Sequence, residues 1–517
     1  MKNVIGMVLA LFFILGCSSK HIEVKEDRSF YFPKKSSSVL YHYAKDNIAA
    51  QGPRSGYYPL ENHLDSLSAR ILLAYAATKS IKLQYYTFHS DPAGKLLLKA
   101  LVDAADRGVK IEVLIDDIAL GDHDHSIAVV NDHKNISIRV FNPTNARGAL
   151  HNVEIGLNSD TLGRRMHNKS FIVDNSMAVF GGRNIGDIYF GLNKDDYFVD
   201  NDILAAGPLV NKLTYAFNLY FASKFSVDFM HIAKASVEEL KKGKKKYAES
   251  LASPEFKHFK KVVLNRPFVD AFRKKKLALY FAKAELYYDG PNKIGTAPDD
   301  RTYHIKGKID KKYMPKKSLV IVNPYFIPDD EMMAFFKTLR AQGVEISVLT
   351  NSLESTDGEW VYAYYSFKQE ALLKMGVKLY EIYPSAFSEA LKAQAYNLHK
   401  KTPRSALHAK AMIIDGRYFV IGSRNLDPRS RNLNTEMVAV IESVELSKHE
   451  KKVFDILTEP EHAYELKLVC DGNDNCEVRW YAVIEGKEVV FDSDGDAGFT
   501  DKMFVFFSRI LPVEDLL

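Results

Sequence analysis

Cysteine is scarce in this chain: three in 517 residues, at positions 17, 470 and 476. With no second Cys pair, a CxxC-type metal site is not expected. Excess charge is also missing. The formal net charge is +5, so nothing in the total demands a nucleic-acid partner. No long low-complexity tract is present, and 46% apolar with 26% charged residues is a globular composition. The apolar stretch from Val4 to Gly16 is thirteen residues, a helix of about 20 Å against a hydrocarbon core of about 30 Å, too short to span a membrane. A length of 517 residues exceeds one ordinary core and predicts two or three packed units.

What is there begins at the start of the chain. Lys2, the apolar stretch and then Cys17-Ser18-Ser19 read as an export signal over residues 1–16. Leu15-Gly16-Cys17 resembles a bacterial lipobox, in which the Cys is acylated and becomes the new N-terminus. Cys17 is therefore the expected lipidation site, followed by a linker over 17–50. The folded part is expected outside the cytoplasm of a bacterium, on a membrane-anchored lipoprotein. Cys470 and Cys476 then remain, flanking the polar Asp471–Asn475. Alternating Leu466, Leu468 and Val478, Trp480 predict a hairpin with that turn at its tip, which a disulfide suits in an exported protein. The middle of the chain is basic, at Lys241–Lys246 and Arg273–Lys276, and beside it lies an aromatic stripe, Phe217, Tyr220, Phe221, Phe225 and Phe229. Either feature reads as solvated face or core, or as a membrane-facing surface. Asp122-His123-Asp124-His125 looks like a metal cluster but follows a strand in a polar loop, and no metal is expected.

The chain repeats itself. Ile81–Tyr86 reads as a buried strand, Asp91-Pro92 opens a helix that Gly108 ends, and Val109–Ile115 is the next strand. The second half replays this with Leu319–Val322, Pro328–Asp330, Gly343 and Val344–Leu349. Strand–helix–strand units predict parallel pairing with right-handed crossovers. Two α/β units are expected, over 51–215 and 306–460, related by duplication about a pseudo-two-fold axis. A helical, basic connecting segment (216–305) and a short β-rich tail (461–517, with Phe504–Phe507 near its end) complete the division.

Each half carries His-x-Lys-x4-Asp, at His167/Lys169/Asp174 and at His408/Lys410/Asp415. In an extended chain, residues i and i+2 share a face. An imidazole beside an ammonium is a poor metal site and a good phosphodiester site. Both copies continue into a small-residue turn and an Asn placed 17 residues after the His: Gly181-Gly182-Arg183-Asn184 and Gly422-Ser423-Arg424-Asn425. Glycine lets backbone approach a phosphate oxygen, and Asn184, Asn425 and Ser423 can donate to it. A carboxylate follows in each half, Asp200 and Glu436, suited to hold imidazole Nδ1 and aim Nε2.

Two full copies of this pattern resemble the signature of the phospholipase D superfamily, from about Tyr58 to Glu442. Pro59-Leu60-Glu61, Gln84-Tyr85-Tyr86, Arg165–Ser170, Gly181–Asp187, Asp427–Ser430, Asn434–Met437 and Ile510–Glu514 narrow the resemblance to the cardiolipin synthase C group. The lipobox lies outside that pattern. The resemblance implies two duplicated phospholipase D-type α/β sandwich domains and a two-step phosphatidyl transfer without cofactor or metal. His167 is expected as nucleophile and His408 as acid/base, with Lys169, Lys410 and the Asn side chains on the non-bridging oxygens. An ordinary imidazole pKa near 6.5 would suit both duties. The expected reaction is cardiolipin synthesis from phosphatidylglycerol and a second phospholipid, phosphatidylglycerol or phosphatidylethanolamine. Hydrolytic phospholipase D and, less readily, a nuclease of the superfamily are the rivals, with a non-catalytic lipid-binding lipoprotein behind them. Phospholipids at a membrane surface are the expected partners, with a monomeric catalytic unit, no nucleic acid, and room for an accessory protein.

Overall fold

The computed structural model describes residues 38–48, 51–120, 124–193, 195–305, 308–386, 404–471, 475–495 and 497–508. The export segment with Cys17 and the motif Ile510–Glu514 lie outside the described residues. The first half contains β1 (Ser55–Pro59), β2 (Ser80–Tyr85), β3 (Lys110–Asp116), β4 (Ile136–Phe141), β5 (Ser170–Val173), β6 (Met177–Gly181), β7 (Asp196–Val199), β8 (Asp202–Ala206) and β9 (Ser226–Asp228). The second contains β10 (Tyr280–Tyr288), β11 (Ser318–Val322), β12 (Glu345–Asn351), β13 (Lys378–Ile382), β14 (Arg404–Leu407), β15 (Ala411–Ile414), β16 (Tyr418–Gly422), β17 (Met437–Glu442) and β18 (Ala463–Cys470). A meander of β19 (Cys476–Ile484) and β20 (Lys487–Phe491) follows.

The buried runs of β2, β3 and β4 pair in parallel, as do β11, β12 and β13. In each half the first two parallel strands are joined through a helix with an aspartate cap. Asp91 accepts from Gly94 N ahead of Pro92–Asp106, and Asp329 accepts from Met332 N ahead of Asp330–Ala341, each cap worth about 1 kcal/mol. Leu96, Leu97, Ala100 and Leu101 on the first of these helices are buried in one core with Ile81, Leu83, Ile111 and Ile138, a helical stripe against a pleated face.

Strand order carries the symmetry. β1 and β10 lie antiparallel at a seam, Gly56 opposite Phe281. Outward from β1 run β8, β6, β5, β2, β3, β4 and β9. Outward from β10 run β17, β16, β15, β11, β12, β13 and β18. The two lists are the same architecture read in opposite directions, the pseudo-two-fold relation of a duplication. Among the described residues only β7 and β14 stand apart, as a parallel pair that joins the halves.

Two expectations change. The segment 216–305 is helical at its start, where the helix Pro208–Phe221 ends, and in its middle, at Val237–Ala252, Pro254–Leu264 and Pro267–Arg273. β9 and β10, strands of the two sheets, flank those three middle helices, and the two-residue period of β10 was masked by its aromatic and charged side chains. Phe504–Phe507 belong to a helix, Phe499–Ser508, with Phe504 edge-on to Trp360 at 4.7 Å; a four-residue apolar run does not separate strand from helix by periodicity. The aromatic stripe is largely core, since Phe217, Tyr220 and Phe229 are buried. Cys470 and Cys476 oppose one another in the β18–β19 ladder and are disulfide-bonded. No helix among the described residues is long and apolar enough to cross a membrane.

Candidate active site

The two histidines meet where the halves meet. Each lies in three residues without regular structure just ahead of an inner strand, His167 before β5 and His408 before β15. Because β5 is antiparallel to β2, its start sits beside the C-terminal ends of the parallel strands. The chain ahead of each histidine is clamped by the other half. His167 N donates to Thr435 O at 2.9 Å, Thr435 N to Arg165 O at 2.9 Å, and His408 N to Val199 O at 2.8 Å.

The carboxylates cross over in the same way. His167 Nδ1 lies 3.0 Å from Glu436 Oε1, and His408 Nδ1 lies 2.6 Å from Asp200 Oδ2. Each imidazole is thus oriented by a carboxylate from the opposite half, and Nε2 is left as the reactive nitrogen. Glu436 also accepts from Ser430 Oγ at 2.7 Å and from Ser423 Oγ, and its backbone is tied to Asp289, which is paired with buried Lys293 at 2.9 Å. Asp200 has bare glycine opposite it: a Cβ on Gly182 would fall 2.3 Å from Asp200 Oδ1. Aromatic rings wall both imidazoles. Tyr86 is edge-on to His167 at 5.1 Å, Tyr189 edge-on to His408 at 5.2 Å, and Phe198 stacks on His408 at 5.0 Å.

Lys169 Nζ donates to His167 O at 2.7 Å and Lys410 Nζ to His408 O at 2.6 Å. Burial brings Lys169 down to about 7 and Lys410 to about 8. Burial also takes His167 to about 4 against the pull of Glu436, and holds His408 well below its ordinary value, with Lys410 adding to the effect. The ordinary imidazole pKa expected from sequence is therefore corrected: these rings are uncharged at neutral pH, because desolvation outweighs their carboxylates. Asp200 rises to about 7 through burial, opposed by Lys410 and Arg183. Glu436, which burial alone would raise, is held below its usual range by His167 and Lys169. An anion entering this site would raise the pKa of these lysines and imidazoles, because a nearby negative charge favours their charged forms.

Three expected roles are relocated. Asp174 and Asp415 do not join the site; each stands at the far end of its strand, roughly 20 Å of extended chain from its histidine. Asp174 accepts from Thr78 N, Lys79 N, Ser80 N and Ser38 Oγ, and Asp415 from Lys316 N, Lys317 N and Ser318 N. Both have positive φ, 51° and 54°, and close the turn between the inner strands. Ser423, expected on phosphate, is committed to Glu436 and its O accepts from His167 Nδ1 at 3.0 Å. Asn184 bridges Thr87 N and Tyr189 OH; Asn425 is buried, with Oδ1 unpaired among the described residues. Asp124 of the suspected metal cluster is paired with Arg147 at 2.6 Å, and 121–123 lie outside the described residues. Among the described residues no cluster of His, Cys, Asp or Glu is arranged to hold a metal.

Sequence reasoning missed the pair that fixes the chain before each histidine. Asp116 Oδ2 accepts from Met166 N at 2.7 Å, and Asn351 Oδ1 accepts from Leu407 N at 2.7 Å. The signal was available, since each stands eight residues after the helix-ending glycine, Gly108 or Gly343.

Comparison with known proteins adds a second line. Residues 72–219 and 313–458 match the family described as cardiolipin synthase, PLD-like domain. The chain is 33% identical over 497 residues to cardiolipin synthase C of Escherichia coli (strain K12), covering 94% of this chain and 100% of that one. It is 26% identical over 385 residues to a cardiolipin synthase of Clostridium perfringens (strain SM101 / Type A), covering 73% of this chain and 65% of the other. Phosphatidylserine synthase of Haemophilus influenzae Rd KW20 superposes with a TM-score of 0.57 at 15% identity, over 92% of this chain and 100% of that one, a likeness of fold.

Proposed function

The chain belongs to the family of cardiolipin synthase, PLD-like domain proteins, and from that premise we propose that it is a phosphatidyltransferase making cardiolipin from phosphatidylglycerol and a second phospholipid. The observation that carries the reading is the crossed pairing of two buried imidazoles with two buried carboxylates, flanked by two lysines of lowered pKa.

In the first step His167 Nε2 attacks phosphorus. The phosphorus–oxygen bond to the departing headgroup alcohol breaks, and His408 delivers a proton to that oxygen. In the second step the hydroxyl of phosphatidylglycerol attacks phosphorus while His408 takes its proton. The phosphorus–nitrogen bond then breaks, which frees His167. His408 begins each cycle charged only once the lipid phosphate is bound, since the empty pocket depresses its pKa. Lys169 and Lys410 offset the charge growing on the non-bridging oxygens. Splitting the reaction lets an alcohol replace water as acceptor. Acylation of Cys17 would keep the enzyme beside its substrates.

Purified protein given labelled phosphatidylglycerol is expected to yield cardiolipin; phosphatidic acid alone would mean hydrolysis. His167→Ala and His408→Ala are each expected to lower turnover by about 10³-fold or more. Substantial product from either would sink the two-histidine scheme.

A further inference from the structure

The excursion from Asn142 to Arg165 leads directly into the His167 segment and contains a short helix, Gly148–Leu150 continuing as His151–Leu157. Two of its polar residues face the protein: His151 is 2% exposed and bonded to Asp117 at 3.0 Å, and Glu154 accepts from Ala146 N at 2.5 Å, while Asn152 is exposed. Three of its apolar residues face outward: Leu150 is 63% exposed, Val153 53% and Leu157 80%, with Ile155 half-buried. Spaced i, i+3 and i+7, they form one stripe.

The stripe is held at the site's edge. Thr144 N and Arg147 Nη1 bond Asp117, next to the Asp116 that positions Met166, while Arg429 Nη2 bonds Gly163 O just before Arg165. A basic surface adjoins it. Arg147 grips Asp124 at the start of helix Asp124–Asn131, and Lys244 bonds Asp132 just past its end at 2.6 Å. Lys244 belongs to the helix Val237–Ala252, on which Lys241, Lys242 and Lys246 are exposed. One helix of about 12 Å thus separates an outward apolar stripe from a lysine-rich helix.

We propose that this stripe, with the lysine-rich helix beside it, is the surface by which the protein rests on an anionic phospholipid bilayer. The assignment rests on the lipid-transfer reading, because a two-chain lipid must leave its bilayer close to His167. A two-turn helix with leucines outward suits the headgroup–acyl boundary, and lysines suit the anionic surface around it.

Two measurements on the full chain test this with phosphatidylglycerol–phosphatidylethanolamine vesicles. The tryptophan of Leu157→Trp is expected to be quenched by brominated acyl chains, and that of Val490→Trp, on the edge of the C-terminal meander, is not. Leu150→Ser/Val153→Ser/Leu157→Ser is expected to lower turnover on vesicles by at least about tenfold while leaving turnover on dispersed short-chain phosphatidylglycerol within about twofold. No quenching at position 157 would overturn the proposal. So would equal loss on both substrates, which would make the helix part of the catalytic pocket. Parent protein that is a dimer, dispersed to monomer by the triple substitution, would assign the stripe to a second copy instead. If the parent makes no transfer product from either substrate, the reading of its function falls while the quenching result still decides the surface.

Discussion

Gly182 and Ser423 occupy the same place in the two halves and show how much one atom decides. Opposite Gly182 the carboxylate is the shorter Asp200; opposite Ser423 it is the longer Glu436, which takes the serine's hydroxyl. Gly182→Ala pushes Asp200 off His408 and is expected to cut kcat by about a hundredfold, as misplacement of a catalytic group by about 1 Å does. Steady-state kinetics with a parallel melting curve check this, since the fold should survive. Glu450 is a second residue with a legible fate. It projects into a cavity of about 370 Å³ with Val453 and Phe419 among its walls. Burial, with the nearby Glu61 charge, raises its pKa well above 4.5. A raised folded pKa means that native protein holds this proton more tightly than the unfolded chain. Below about pH 4.5 the two states do not differ in it; above, stability falls by about 1.4 kcal/mol per pH unit until the folded pKa is passed. Glu450→Met is therefore expected to raise the melting temperature, by a margin that widens from pH 4.5 towards neutrality. Neither residue was legible in the sequence, because a glycine's contact and a carboxyl's burial are properties of what faces them.

At the scale of elements, the two inner hairpins divide their duties between their ends. The histidine ends carry the chemistry, and the aspartate ends hold neighbouring backbone. Asp174→Ala removes a side chain accepting three backbone N–H groups and two hydroxyls, and is expected to lower stability by about 2–4 kcal/mol. Turnover per folded molecule should hold near the parent value, measured by urea unfolding alongside kcat. The motif was fully visible in the sequence while this division was not, since a spacing of seven residues does not say which end meets the substrate. The parallel strand–helix–strand order was legible too, because Asp91-Pro92 and Asp329 are local signals. β10 was not, because its identity depends on the partners it meets at the seam. Equivalent helices also diverge. β6 opposes Met177 to Ala206, and β16 opposes Tyr418 to Glu442, which aligns Pro208–Phe221 with Val444–Leu457 and so Phe217 with Val453. Where the first half places a buried phenylalanine, the second has a smaller side chain and the cavity beside Glu450.

For the whole molecule, the seam at β1–β10 and the β7–β14 pair make one body of two copies. Residues 51–278 and 279–508 produced separately are each expected to show no phosphatidyl transfer, and their mixture to recover part of it. Activity in either fragment alone would refute the need for crossed carboxylates. The duplication was readable from repeated motifs, but the crossing was not, because each carboxylate follows its own half's histidine in sequence and serves the other's in space. His408 is oriented by a residue 208 positions earlier, and His167 by one 269 positions later. Such an arrangement couples the two copies' histories. A change of carboxylate length in one copy is felt at the other copy's histidine, so neither can drift alone. Glycine with aspartate and serine with glutamate are matched sets, each built within one copy and acting on the other copy's histidine.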